Sequence, residues 1–218
     1  MFTTILFDLD GTLTDPGEGI TNSVAFALER FGIQVSDRKS LYPFIGPPLT
    51  ESFIKYFGMD EDQALAAVEV YREYFSVKGW LENCPYEGIA AMLSSLQQAG
   101  KRLLVATSKP EEFAVRILNH FGLSQYFDLI CGAPFQPPKG HSKADVIRDA
   151  LARAGINDTC GVVMIGDRRH DVIGAHAIGI PAIGVLYGYG HRTEHEACCA
   201  DYIVENINQL EQLLLQKV

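Results

Sequence analysis

Thr4-Ile5-Leu6-Phe7-Asp8-Leu9-Asp10-Gly11-Thr12-Leu13 is an apolar run that breaks on carboxylates and a glycine, the signature of a buried strand meeting a loop. Runs of the same kind recur at residues 102–107, 127–131, 162–165 and 182–186, with a short last one at 202–204. Between them apolar residues repeat at helical spacing: Ile89, Met92, Leu93 and Leu96; Phe113, Ile117, Leu118 and Phe121; Val146, Ile147, Ala150, Leu151 and Ala154. Near-continuous apolar strands alternating with helices predict a parallel sheet covered on both faces, a doubly wound α/β fold.

One stretch breaks this rhythm. Residues 16–83 contain no strand-like run. Helices are predicted at 20–31, with Val24, Ala27, Leu28 and Phe31 on one face, and at 60–76, with Leu65, Val68, Val70, Tyr71 and Phe75. Ile45-Gly46-Pro47-Pro48-Leu49 must turn between them. We expect a small α-helical domain at 16–83 inserted after the first strand of a core made of 1–15 and 84–218.

The bulk composition narrows the function. With 47% hydrophobic and 21% charged residues the chain is ordinary for a soluble globular protein. A net charge of −9 argues against a nucleic-acid polymer or an anionic membrane as partner. The five cysteines form no C-x-x-C and predict reduced thiols. The N-terminus has no basic region ahead of Asp8, and no apolar run is long enough to span a bilayer, so a cytoplasmic protein is expected. Nothing in the sequence sets the oligomeric state.

In an open α/β sheet, ligands bind beyond the carboxyl ends of the strands. The first strand ends in Asp8-Leu9-Asp10-Gly11-Thr12, the second in Thr107-Ser108-Lys109-Pro110, and the fourth in Gly166-Asp167, with Asp171 four residues on. A single aspartate there commonly caps the next helix. Several arriving together repel one another unless a cation holds them, and hard oxygen ligands suit Mg²⁺. A hydroxyl, then Pro110 and two acids read as a helix start at Thr107 and Ser108, whose free N–H groups favour phosphate.

These residues carry a resemblance. Phe7-Asp8-Leu9-Asp10-Gly11-Thr12 resembles the first motif of haloacid dehalogenase (HAD) superfamily phosphatases, D-x-D-G-T, and Val105-Ala106-Thr107 resembles the second. Lys143, in Ser142-Lys143-Ala144-Asp145, is similar to the third, and Gly166-Asp167-Arg168-Arg169-His170-Asp171 to the fourth, G-D-x-x-x-D. The order and spacing agree along nearly the whole chain. The helical insert resembles the cap of the phosphoglycolate phosphatase-like subfamily.

The resemblance implies a Rossmann-like core and Mg²⁺-dependent hydrolysis of a small phosphate monoester, phosphoglycolate phosphatase-like or 5'-nucleotidase-like. Asp8 would be the nucleophile and Asp10 the general acid–base. Mg²⁺ would be held by Asp8, the Asp10 carbonyl and Asp167. Thr107, Ser108 and Lys143 would bind phosphate, and Asp171 would partner a metal-bound water or Lys143. Lys139 is a second candidate for the third-motif lysine, and the helical spacing of Val146, Ile147 and Ala150 favours Lys143. Substrate contacts are expected from Gly46, Pro47 and Pro48, with Glu18, Thr21 and Asn22 behind them.

Rival readings stay in view. Asp10 argues against a dehalogenase, since a departing halide needs no proton. A phosphonate-cleaving enzyme would use a cap lysine such as Lys55, but a lone helical lysine is more often a solvated charge. A receiver domain shares the aspartate, hydroxyl and lysine, but it lacks a second aspartate and an insert of this size. A phosphomutase is not excluded. His191, His195 and Cys198 share one helical face, a zinc-like spacing that reads better as a surface helix. His170 reads as a helix-start residue.

Overall fold

The computed structural model describes residues 2–136, 138 and 140–216 of the 218-residue chain. Two compact units emerge, Met1–Thr14 with Pro85–Val218, and Asp15–Cys84.

The smaller unit is helical: α1 (Gly17–Arg30), a 3₁₀ segment (Arg38–Phe44), α2 (Leu49–Phe57), α3 (Glu61–Tyr74) and a π-turn (Phe75–Gly79). Asp60 starts α3 with a reciprocal cap. Its carboxylate accepts the Gln63 N–H at 2.8 Å, and the Gln63 side chain accepts the Asp60 N–H at 3.1 Å. The inward face of α3 is Ala64, Ala67, Val68 and Tyr71, whereas Leu65 is 51% exposed. This corrects the expected face, which ran through Leu65. Small alanines let α1 and α2 approach α3 closely, so side-chain size and not apolar count chooses the stripe. The 3₁₀ segment and α2 replace what read as a plain turn region, and α2 begins at Leu49, directly after Pro48.

The larger unit is built on β1 (Thr4–Phe7). Two short strands, β2 (Thr14–Asp15) and β3 (Cys84–Pro85), lie where the chain leaves and re-enters it. Then follow α4 (Ile89–Gln98), β4 (Arg102–Pro110), α5 (Glu111–His120), β5 (Leu129–Ala133), α6 (Lys143–Arg153), β6 (Val162–Gly166), α7 (Arg169–His176), β7 (Ala182–Val185), α8 (Arg192–Ala197), β8 (Tyr202–Val204) and α9 (Ile207–Leu215). The six-stranded sheet has the order β5-β4-β1-β6-β7-β8, with every pairing parallel. This is the doubly wound α/β architecture read from the sequence.

Alternate residues of each strand serve opposite faces. Leu6, Leu104 and Met164 join Val146, Ile147, Ala150, Val172 and Ala175 in one core layer beneath α6 and α7. On β1, Ile5, Leu6 and Phe7 are all fully buried, as expected of a strand with both faces covered.

Strand order reverses beside β1: the chain runs outward through β4 and β5, then returns to build β6, β7 and β8 on the other side. Phe7 pairs with both Val105 and Ile165, so the carboxyl ends of β1 and β6 stand level at this switch point, and β4 runs on past them to Pro110.

Candidate active site

Asp8 follows β1 directly, and its N–H still donates to Ile165 O at 2.9 Å. Asp167 follows β6, and Asp171 lies in the first turn of α7. Carboxylate oxygens of Asp8, Asp167 and Asp171 lie within 4.8 Å of one another, and all three residues are buried. Lys143, the first residue of α6, joins them. Its Nζ is 2.8 Å from Asp8 Oδ1 and 2.7 Å from Asp171 Oδ1. Burial alone would push the Lys143 ammonium down, but Asp171 and Asp8 outweigh it and hold it above its usual range. Lys139 lies outside the described residues.

Glycines make the room for this crowding. A Cβ on Gly11 or Gly188 would collide with the Asp167 side chain, one on Gly166 with the Asp171 carboxyl, and one on Gly190 with the Asp167 carbonyl. On α7, a Cβ at Gly174 would stand 2.9 Å from Lys143 Cβ, so that glycine lets the lysine stem pass. Gly11 also turns the chain at φ +80°, bringing its N–H to Thr14 O at 2.8 Å. Tyr189 N–H then fixes Asp167 by donating to Oδ2 at 2.7 Å. Gly190→Ala is therefore expected to displace the Asp167 backbone at a cost of about 1–3 kcal/mol, read as a lowered Tm together with loss of the activity that the resemblance implies. A variant with wild-type Tm and activity would show that the loop does not press on Asp167.

The second strand end departs from the expected helix start. Strand β4 runs through Pro110, and α5 begins at Glu111 with no hydroxyl cap. Proline pushes the residue before it into extended backbone, which keeps Lys109 in the strand. The register with β5 shifts between Thr107 and Pro110. Thr107 is buried, and its Oγ1 accepts the Lys109 N–H at 3.2 Å, whereas the Ser108 side chain is exposed. Lys109 is buried too, with Nζ 2.5 Å from Asp10 Oδ2. The restriction that Pro110 places on its neighbour is the sequence signal for this placement.

Other candidates belong to other elements. Gly46, Pro47 and Pro48 belong to the helical unit, where Gly46 has φ +101° and Pro48 precedes α2. Lys55 stands over the Tyr56 ring. His191 is exposed, and no zinc-like group forms among the described residues; the one cluster able to hold a metal is Asp8, Asp167 and Asp171. The helix containing His195 is not a plain surface helix, because His195 is fully buried. His170 is partly buried, and burial lowers its pKa.

The charge balance favours a divalent cation. With all four ionised, Asp8, Asp10, Asp167 and Asp171 exceed the two ammonium groups beside them, Lys109 and Lys143, by two negative charges. Burial, then Asp171 and Asp8, push the Asp167 carboxyl well above its usual range. Asp167 Oδ1 is buried and makes no hydrogen bond among the described residues. An oxygen-only set with an orphaned carboxylate oxygen and this charge excess fits Mg²⁺. No helix among the described residues is long and apolar enough to cross a membrane.

The model of a family described as haloacid dehalogenase-like hydrolase matches residues 5–185. A 5'-nucleotidase of Pseudomonas aeruginosa is 45% identical, covering 96% of this chain and 94% of that protein. Tyrosine-protein kinase PtkA of Mycobacterium tuberculosis is 44% identical, covering 85% of this chain and 62% of that protein. The crystal structure of a predicted phosphatase from Clostridium acetobutylicum superposes with a TM-score of 0.94 at 48% identity, covering 99% of each chain.

Proposed function

The chain belongs to the haloacid dehalogenase-like hydrolase family and is a phosphatase of it, and from that premise we propose that it hydrolyses a small phosphate monoester through an aspartyl-phosphate on Asp8. The observation that carries this reading is the pairing of Lys143 with Asp8 and Asp171 beside the orphaned Asp167 carboxylate oxygen. One carboxylate oxygen of Asp8 attacks phosphorus, an O–P bond forms, and the ester oxygen departs. Asp10 gives that oxygen its proton. Asp10 then takes a proton from water as the water oxygen attacks phosphorus, freeing Asp8 and inorganic phosphate.

Burial pushes the Asp10 carboxyl upward against the pull of Lys109, which favours the protonated acid needed first. Lys143 offsets charge on the phosphoryl oxygens, and the buried Thr107 hydroxyl orients them. Asp8, the Asp10 carbonyl and Asp167 would hold Mg²⁺, which when bound supplies the positive charge that lets an anionic nucleophile meet an anionic phosphoryl group. Substrate choice is assigned to the helical unit, with Gly46, Pro47 and Pro48 as its contact. Nucleoside monophosphates are the first substrates to try, a choice supported by the likeness to a 5'-nucleotidase, and phosphoglycolate is the second, supported by the likeness to a phosphoglycolate phosphatase.

The test is phosphate release from a panel of monoesters with Mg²⁺ and with EDTA, for wild type and Asp10→Asn. Wild type should turn over only with Mg²⁺. Asp10→Asn should lose about 10²–10⁴-fold and, with an activated ester, accumulate covalent phosphate on Asp8, detected by mass spectrometry. Full activity in EDTA would remove the metal from the mechanism. Wild-type turnover by Asp10→Asn would remove Asp10 from it.

A further inference from the structure

The mechanism uses Asp167 but does not explain what aims it. Asp167 sits in the short link between β6 and α7, and among the described residues no ammonium group is paired with it, unlike Asp8, Asp10 and Asp171. Its two following residues are held from outside that link. A single oxygen, Glu194 Oε1 on α8, accepts the Arg168 Nε–H at 3.1 Å and the Arg169 backbone N–H at 2.9 Å. The Arg169 N–H is one of the first-turn donors that a helix cannot satisfy internally. Burial alone would push the Glu194 carboxyl up, but the Arg169 N–H and the Arg168 guanidinium outweigh it and keep it anionic.

The segment carrying Glu194 is itself anchored. Next to it, His195 is fully buried, and a Cβ on Gly184 of β7 would stand 2.5 Å from its Nδ1. A Cβ on Gly190, in the same segment, would stand 3.1 Å from His195 Nε2. The Tyr189 N–H from this segment also reaches the Asp167 carboxylate. One stretch, residues 189–195, therefore grips the Asp167 link on both sides: Tyr189 at the carboxylate, and Glu194 at the two residues beyond it.

We propose that Glu194 is a positioning residue that sets divalent-cation affinity by fixing the Arg168 side chain and the Arg169 backbone, so that Asp167 is already aimed before the cation arrives. A carboxylate aimed in advance has less freedom to lose on binding, and groups that orient a ligand residue typically alter metal affinity about 10–100-fold. The inference rests on the metal-dependent reading above and goes beyond it, because Glu194 touches neither phosphate nor metal in that reading.

The test titrates Mg²⁺ calorimetrically into metal-stripped wild type, Glu194→Ala and Glu194→Gln, with circular dichroism and Tm recorded for each. Glu194→Ala should weaken the Mg²⁺ Kd about tenfold or more. Glu194→Gln should fall between it and wild type, since its amide oxygen still accepts the Arg169 N–H. A folded Glu194→Ala protein with a lowered Tm but a wild-type Kd overturns the proposal while the metal reading stands. Should Glu194→Ala not fold, Glu194→Asp, whose carboxylate is withdrawn by one methylene, carries the decision: a weakened Kd supports the proposal and a wild-type Kd overturns it. A wild type that binds no Mg²⁺ overturns both.

Discussion

Asp8→Asn is expected to lose phosphate release by about 10⁴-fold or more without unfolding. The amide matches the carboxylate in volume, so the packing of the strand ends is preserved. It removes one of four crowded negative charges, which relieves repulsion in the metal-free protein and leaves Lys143 paired with Asp171 at 2.7 Å. What disappears is the attacking oxygen, and general acid–base help from Asp10 alone is worth only about 10²–10⁴-fold. The measurement is phosphate release under saturating Mg²⁺, with Tm recorded on the same sample. An Asp8→Asn protein that keeps wild-type turnover would end the aspartyl-phosphate reading.

Lys143→Met carries the largest expected cost in stability. Its side chain is 3% exposed, and its ammonium serves two buried carboxylates at once, Asp8 and Asp171. Removing one partner of a buried pair typically costs about 3–5 kcal/mol, because the remaining charge stays buried and uncompensated. For a chain of this size that corresponds to a fall in Tm of about 6–20 °C. Methionine fills the space of the stem beside Gly174, so the loss is one of charge rather than volume.

The deficit should depend on pH with a definite sign. Burial already raises the Asp171 carboxyl above its usual range, with Lys143 opposing that shift. Without the lysine the folded-state pKa rises further above its unfolded value, so the penalty is full above the folded pKa and fades as pH falls through it. Chemical denaturation of wild type and Lys143→Met between pH about 8 and about 5 reads this directly. Lys139→Met serves as the comparison. If that variant shows the loss and Lys143→Met does not, the lysine of the site is Lys139.

The strands were legible because a parallel sheet covered on both faces needs continuous apolar runs, and Ile5, Leu6 and Phe7 and Val163, Met164 and Ile165 are such runs, fully buried in the fold. The aspartates stood out for a related reason: a charge directly after such a run has to be placed at the sheet edge. The helical unit was less legible. On α3 the apolar residues outnumber the places for them, and close approach to neighbouring helices selected Ala64 and Ala67 over Leu65. Likewise α2 is short, and its pattern was hidden behind Pro47 and Pro48.

Around the site, the residues that escaped the sequence reading are those whose role depends on a partner far along the chain. Lys109 was read as part of a helix start, yet it lies in the strand with its ammonium on Asp10, 99 residues away. Gly188 and Gly190 mark only a loop in the sequence, and they matter because Gly11 and Asp167 come up against them. Glu194 and His195 read as a polar surface helix until β7 and the Asp167 link are packed against it.

The sequence by itself determined the strand-and-helix alternation and which carboxylates and hydroxyl stand at the strand ends. Hydrophobic periodicity and turn chemistry are local properties, written within a few residues of where they act. Only the tertiary structure decided which charges meet: Lys143 with Asp8 and Asp171, Lys109 with Asp10, and Glu194 with the link after Asp167. Those pairings follow from strand order, a register shift and the clearance left by glycines, all of which arise when distant segments pack and none of which a local pattern encodes.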